Sequence, residues 1–294
     1  MNALADLEAV VSSGRGLTRT KTKRVTACTD LISVGVLGEM TRRAERGSQV
    51  TFGQVAAFAP GSIPASIGEA GEVRLTGTPA SVEDADARVQ AAAAISAGAP
   101  LTGFSLADLW TLAGGNQQAL TDLARRLAAS GLHAVAETPI DRLEDAAVAI
   151  RAARQGGLGV WRLTIDRAEP AARLDLIERA RDLQVGVSGL HAFAPLPVSD
   201  ARDAPSTGYD DVRAIALARL VCRNIPSIQV DWVLYGPKLA QVALAYGADD
   251  VDNVASFETA GAGPRKSPRA DIERQITAAF AVPAARNGRF EILG

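Results

Sequence analysis

The feature that most constrains this chain is a regular alternation of short apolar segments with amphipathic stretches of helical periodicity. Eight segments have the length of a β-strand and are bounded by glycine or proline. They are residues 50–58, 72–77, 100–106, 133–138, 159–165, 185–193, 227–235 and 249–254. Helical segments such as "SVEDADARVQAAAAISAG" separate them. The alternation predicts an α/β fold, a (β/α)8 TIM-type barrel, with an open doubly wound sheet as the alternative.

The two ends of the chain and its first crossover depart from this repeat. Residues 1–48 are polar and helical in pattern and predict an N-terminal helical extension before a barrel of residues 49–255. Residues 256–294 predict a C-terminal tail that packs on the barrel. Between the first two strands, "APGSIPASIGEAG" leaves little room for a crossover helix, so the first β/α unit is expected to be trimmed.

Composition excludes several classes of protein and site. The net charge of −2 and the lack of a long basic run argue against a nucleic-acid partner. No apolar run reaches membrane-spanning length, and we expect a cytoplasmic protein without a membrane partner. The chain has two cysteines, Cys28 and Cys222, and two histidines, His133 and His191, without metal-ligand spacing. No metal site is predicted.

One C-terminal run carries a specific resemblance. The segment "TGYDDVRAIALARLVCRNIPSIQVDWVLYGPKLAQVALAYGADDVD" resembles the radical S-adenosylmethionine enzymes of the futalosine route to menaquinone. These are aminofutalosine synthase and cyclic dehypoxanthine futalosine synthase, and deazaflavin-forming relatives share the pattern. "GLHAFAPLP", "ALTDLARRLAASGL" and "ARNGRFEIL" resemble other segments of the same family. The resemblance implies the barrel fold and an association with menaquinone biosynthesis.

The chain departs from this family where the family binds its cofactors. The resemblance implies a CxxxCxxC motif in the loop after the first strand, which holds an iron–sulfur cluster through thiolates. Here "VTFGQVAAFAPGSIP" contains no cysteine, and Ser62, Ser66 and Glu69 are not soft ligands. The glycine-rich segment after the second strand is also altered, to "LTGTPAS". We therefore expect a degenerate member with neither a cluster nor bound S-adenosylmethionine.

Polar residues near the carboxyl ends of the predicted strands are the candidate ligand-binding residues, because barrels bind ligands at that end. They are Glu137, Thr138, Arg162, Asp166, His191, Asp231, Asp250 and Asp252. The resemblance implies that the acids at 137, 250 and 252 match family acids. Gly261 and Gly263 are a further, weaker candidate for anion binding through backbone amides.

Each candidate also has a purely structural interpretation. Glu137 and Asp166 are placed where a helix cap is equally well expected. Asp231 shares a strand face with Gln229, and its expected buried partner is Arg162. His191 is also interpreted as a core histidine, and Asp250 and Asp252 as residues of a solvated turn.

Three functional hypotheses follow. The first is a cluster-less radical-SAM-like pseudoenzyme that binds a small molecule or an active homologous radical enzyme. The second is a non-radical enzyme whose acid/base residues act on a small carboxylate or nucleoside-like substrate. The third is a structural subunit of a homo- or hetero-oligomer. The catalytic residues, the ligand and the oligomeric state are left open by the sequence.

Overall fold

A computed structural model describes residues 4–14, 16–62, 66–167, 169, 172–199, 208–256 and 268–294. Eight parallel strands close into a barrel, in which each strand pairs with the next and the eighth pairs with the first. This confirms the predicted (β/α)8 fold over the open-sheet alternative. The strands are β1 (Gln49–Phe58), β2 (Glu72–Leu75), β3 (Leu101–Ser105), β4 (Ala134–Pro139), β5 (Arg162–Ile165), β6 (Ala192–Pro197), β7 (Ser227–Asp231) and β8 (Asp250–Ala255).

Helices surround the barrel and precede it. The three helices of the N-terminal extension are α1 (Ala5–Ser12), α2 (Arg19–Ala27) and α3 (Leu31–Arg46). The others are α4 (Val82–Ala93), α5 (Leu106–Leu112), α6 (Gln117–Ala129), α7 (Ala146–Gln155), α8 (Arg173–Val187), α9 (Gly208–Val221), α10 (Trp232–Leu244) and α11 (Pro268–Ala278). Within the described residues, no helix has both the length and the apolarity needed to cross a membrane.

Local sequence signals set many of these boundaries. The side chain of Ser81 accepts a hydrogen bond from the amide of Asp84 and caps α4. Asp231 caps α10 in the same way, through the amide of Leu234. Gly236 has a φ of 74° and kinks α10 before Pro237, a position that favours glycine.

The first β/α unit is trimmed, as predicted. The described part of the connection between β1 and β2 contains no helix. The amide of Gly71 instead donates to the carbonyl of Gln54 at 3.0 Å, and β2 pairs directly with β1 from Val55 onward. A short connection therefore still completes the barrel.

A ninth strand, β9 (Val282–Arg286), comes from the C-terminal tail and was not predicted. It pairs in parallel with the first half of β1, from Gln49 to Gly53, below the point where β2 begins to pair. The tail therefore joins the sheet at the amino-terminal end of the barrel, rather than only packing on the barrel surface.

Two predicted strand boundaries were wrong. The segment 185–193 is not a strand, because α8 continues to Val187 and β6 begins only at Ala192. The side chain of Gln184 holds this turn, accepting from the amide of Leu190 and donating to its carbonyl at 3.0 Å each. The strand predicted for 227–235 ends at Asp231, since that residue caps the next helix.

Candidate functional site: a charged barrel interior beneath an open cavity

The interior of the barrel is polar, and strand β5 shows how its side chains follow one another along the barrel axis. Arg162, Thr164 and Asp166 alternate along the chain, so they share the face that points into the barrel. Arg162 lies lowest, Thr164 lies above it, and Asp166 lies just past the carboxyl end of the strand. The interior therefore has two levels, and they differ in chemistry.

The lower level is a buried charge lattice. It consists of three arginines and three acids: Glu72, Arg74, Arg162, Asp250, Asp252 and Arg286. Their formal charges cancel. Aliphatic side chains usually fill the inside of such a barrel, so this packing is unusual. Buried charges are tolerated only when they are paired and hydrogen-bonded, and the lattice meets that condition.

Asp252 is the centre of the lattice. Arg74 donates to both of its carboxylate oxygens, at 2.8 and 3.1 Å, and Arg286 donates at 2.9 Å. Arg162 forms a third, short ion pair with it. Burial alone would raise the pKa of Asp252, but the charges of Arg74, Arg162 and Arg286 hold this pKa well below its usual range. The three arginines therefore favour the ionised form of Asp252.

Arg286 reaches the lattice from β9. Its guanidinium holds Asp250 through two hydrogen bonds of 2.6 and 2.8 Å. It passes Gly53 so closely that a Cβ at that position would lie 2.8 Å from Nη1. A glycine at position 53 is therefore what allows the tail to place its arginine inside the barrel.

The upper level is an open cavity of about 340 Å³ at the carboxyl ends of the strands. We call it the upper cavity. Its floor includes Arg74, Arg162, Thr164 and Gln229, and Asp231 and Asn253 line one wall. Its size falls within the range of small-molecule pockets. The position agrees with the ligand site of other barrels.

Asp231 is an acid of the upper cavity whose surroundings shift its pKa. It accepts hydrogen bonds from the amide of Leu234 at 2.8 Å and from Nδ2 of Asn253 at 3.0 Å. Burial raises the pKa of Asp231, and the nearby negative charge of Asp252 raises it further. The expected pairing of Asp231 with Arg162 was wrong, because Arg162 pairs with Asp252 on β8 instead.

The rim of the upper cavity joins successive loops. Arg142 donates to Asp108 at 2.8 Å and lies 3.9 Å from Asp166. Thr78 donates to Asp108 at 2.7 Å, and Ser199 donates to Asp166. These contacts link the loops that follow β2 to β6. The described part of the rim is therefore cross-linked from one loop to the next.

The structure brings together some predicted site residues and separates others. Glu137, Arg162, Asp166 and Asp231 line the upper cavity. Thr138 is fully buried and does not line it. The solvated-turn interpretation of Asp250 and Asp252 was wrong, since both have no exposed surface.

His191 lies at the other end of the barrel. It precedes β6, is exposed, and stacks on Phe290 with ring centroids 5.6 Å apart. Neither the core interpretation nor a place in the upper cavity fits this position. Gly261 and Gly263 lie outside the described residues.

Several functional residues were missed from sequence. Arg74, Asp108, Arg142 and Thr164 all line the upper cavity, and Arg286 completes the lattice. For Thr164 a signal existed, since it lies two residues after Arg162 on the same face. For Arg286 the only signal was its place in the family-like ending.

Comparisons with known proteins agree with this architecture. The family described as "CofH/MqnC C-terminal region" matches residues 198–293. Aminodeoxyfutalosine synthase of Streptomyces coelicolor is 33% identical over 146 residues, which cover 42% of this chain and 38% of that protein. Cyclic dehypoxanthine futalosine synthase of the same organism is 33% identical over 132 residues, covering 42% of this chain and 33% of that protein.

The chain is therefore similar to these proteins of the futalosine pathway over part of its length. It spans between a third and two fifths of the length of these two relatives. The crystal structure of methylornithine synthase shares the fold, with a TM-score of 0.67, 14% identity, and coverage of 95% of this chain and 97% of that one.

The cysteines of this chain do not fit the cluster that the resemblance implies. Such a cluster is held by cysteine thiolates, and the chain has two cysteines in all. Cys222 is fully buried, its Sγ donates to the carbonyl of Ile177, and burial raises its pKa to about 12. Cys28 lies at the end of α2 in the N-terminal extension. Neither cysteine lies at the upper cavity.

Proposed function

We propose that this chain is a cluster-less radical-SAM-like barrel protein of the futalosine route to menaquinone. In this proposal it carries no iron–sulfur cluster, does not use S-adenosylmethionine, and binds a small molecule in the upper cavity. The ligand site serves the protein alone or together with an active homologous enzyme, and the protein acts in the cytoplasm. The observation that carries the proposal is a formed cavity beside a connection whose described residues contain no thiol.

The first experiment measures iron. The protein is purified without oxygen and incubated with ferrous iron, sulfide and reductant, and iron per chain and visible absorbance are then measured. We expect neither stoichiometric iron nor the absorbance of a cluster, because thiolates are the cluster ligands. The control is the double variant Cys28→Ser, Cys222→Ala, which should behave identically. Stoichiometric iron that is lost in this variant would overturn the proposal.

A second candidate function rests on Asp231. A carboxyl group with a raised pKa at a ligand cavity is a recognised feature of acid/base catalysts. In this proposal the protein is a non-radical enzyme that acts on a small carboxylate or nucleoside-like substrate. The test is turnover of futalosine-pathway intermediates without reductant, with Asp231→Asn as the inactive control. Unchanged substrates, or equal turnover by the variant, would exclude this role for Asp231.

A further inference from the structure

Strand β8 contains a β-bulge where the two levels of the barrel meet. The pairs on either side of it are Phe52 with Val251 and Gln54 with Val254, so β1 advances by two residues where β8 advances by three. Within the bulge, the φ of Asn253 is 60°. Asparagine adopts this left-handed conformation more readily than most other residues, so the local sequence suits the bulge.

The β8 bulge turns two consecutive side chains into the barrel. In a regular strand, successive side chains point to opposite faces, so Asp252 and Asn253 would face opposite ways. In this chain Asp252 lies in the charge lattice, and Asn253 lines the upper cavity. Val251 and Val254, on either side of them, belong to the apolar core. The bulge therefore gives each level one inward-facing side chain from β8.

Asn253 holds the acid of the neighbouring strand. Its Nδ2 lies 3.0 Å from Oδ2 and 3.3 Å from Oδ1 of Asp231. The amide of Leu234 donates to Oδ1 at 2.8 Å. In the register of β7 and β8, Asp231 pairs with Asp252, so a strand without the bulge would turn residue 253 away from Asp231. The contact between Asn253 and Asp231 therefore depends on the bulge.

The C-terminal tail packs against the same irregularity. Gly53 lies opposite the bulge, and the guanidinium of Arg286 passes over it. Arg286 also donates to Asp252, the first of the two inward-facing residues, at 2.9 Å. Because Asp252 and Asn253 are adjacent, the charge lattice holds the backbone from which Asn253 reaches the upper cavity.

We propose that Asn253 is a positioning residue for Asp231, aimed into the upper cavity by the β8 bulge, and that it fixes the orientation in which the Asp231 carboxyl group meets a ligand. The inference deepens the second candidate function, and its meaning for catalysis rests on that function. A carboxyl group that is already oriented transfers a proton without first losing rotational freedom. Support of this kind, from a residue behind the reacting group, is what precise sites require.

The test measures the pKa of Asp231 by NMR in the full chain with isotope-labelled aspartate. The signal of Asp231 is identified by its absence from Asp231→Asn. Burial raises this pKa and the charge of Asp252 raises it further, whereas the amide of Leu234 and the charges of Arg74 and Arg162 lower it. A hydrogen bond to the ionised carboxylate also lowers a pKa, so the contribution of Asn253 has a definite sign.

Two variants remove the donor. Asn253→Gly should raise the pKa of Asp231 further, and it keeps the bulge because glycine readily adopts a φ of 60°. Asn253→Asp keeps the size of the side chain but places a second carboxyl group beside Asp231. One group of that pair should titrate at a still higher pH, since the two like charges repel each other.

The matched control is Asn224→Gly. It removes an exposed amide that donates to the carbonyl of Arg181 on the outside of the barrel, and it should leave the pKa of Asp231 unchanged. A measurement on the wild type does not depend on how the variants fold. The side-chain amide signals of Asn253, assigned through the backbone, should shift with pH at the same midpoint as the carboxyl signal of Asp231.

Each outcome decides the inference. An unchanged pKa of Asp231 in Asn253→Gly overturns it, and so do wild-type amide signals of Asn253 that do not follow the titration. Equal pKa changes in Asn253→Gly and Asn224→Gly overturn it as well, because the effect would then not be specific to the contact. If the pKa rises as expected but Asp231→Asn leaves turnover unchanged, the second candidate function is excluded and Asn253 remains the residue that positions Asp231.

Discussion

The lower and upper levels of the barrel interior are built on the same strands but differ in how their polar groups are paired. In the lower level, the carboxylates of Glu72, Asp250 and Asp252 each accept from a buried arginine. In the upper level, Thr164 has a hydroxyl without a partner and Asp231 has a raised pKa. Inward-facing residues at the two heights therefore meet different surroundings, paired charges below and an open cavity above.

This contrast has an energetic basis. Burying charges costs desolvation free energy, and mutual attraction only roughly offsets that cost. A lattice of paired charges is therefore not more stabilising than an apolar core. Removing one member, however, leaves an uncompensated buried charge, which is strongly destabilising. The upper cavity is open, so it does not require every charge to be paired within the barrel.

The largest predicted effect comes from breaking the lattice at Arg286. Arg286→Met leaves Asp250 and Asp252 without their partner from β9, and removing one partner of a buried ion pair costs about 3–5 kcal/mol. We expect that loss in the free energy of unfolding, measured by urea titration. Arg289→Met, three residues further along on the exposed surface, is the matched control and should have little effect.

A second substitution tests whether the unpaired acids cause the loss of stability in Arg286→Met. Adding Asp250→Asn to Arg286→Met removes one of the stranded charges, so the double variant should recover part of the lost stability. If Arg286→Met unfolds at the same urea concentration as the wild type, the lattice does not hold β9 in the barrel. The contrast between the two levels would then not correspond to a difference in their contributions to stability.

A matched pair of threonines tests the contrast between the levels directly. Thr102 in the lower level donates to Glu72 at 2.6 Å, so Thr102→Val should cost about 1.5–3 kcal/mol, the range for a hydrogen bond to a charged group. Thr164→Val in the upper cavity removes a hydroxyl without a partner and should be neutral or stabilising by about 1 kcal/mol. Losses of equal size in urea unfolding would contradict the distinction.

Most of the fold was predictable because it depends on local patterns. Apolar segments bounded by turn residues located seven of the eight barrel strands. The exception was the sixth, where α8 runs on to Val187 and an apolar run of residues was interpreted as a strand. The ninth strand was missed because "VPAAR" is short and follows a helix, and only its pairing with β1 makes it a strand.

The site was harder to predict, because its partners are far apart in sequence. Arg74 and Asp252 are separated by 178 positions, and Arg162 and Asp252 by 90. Strand alternation correctly indicates which residues face inward, but it does not choose partners among several inward charges. Asp231 was therefore assigned to Arg162, although Asp252 lies closer to the centre of the lattice. Residue spacing therefore predicts the strand face on which a side chain lies, but it does not predict its partner across the barrel.

The smallest predicted effect is the pH dependence of Asp231. Because its pKa is raised on folding, the unfolded chain loses this proton first, and stability falls as pH rises from about 3.8 through the folded pKa. Asp231→Asn removes that loss and keeps the helix cap. The free energy of unfolding of the variant, relative to that of the wild type, should therefore increase as pH rises. The gain should be small, because a single carboxyl group is responsible for it.

The control for this titration is Asp122, whose pKa shift has the opposite sign. Hydrogen bonds from Gln118 and Arg125 lower the pKa of the exposed Asp122, so its contribution is present above about pH 3.8 and is lost as pH falls through the folded pKa. The free energy of unfolding of Asp122→Asn, relative to that of the wild type, should therefore decrease slightly as pH rises. Urea unfolding of the three proteins between pH 3 and pH 8 measures both trends. Parallel curves for wild type and Asp231→Asn would show that Asp231 is not strained by its position, and the upper level would then be as well paired as the lower one.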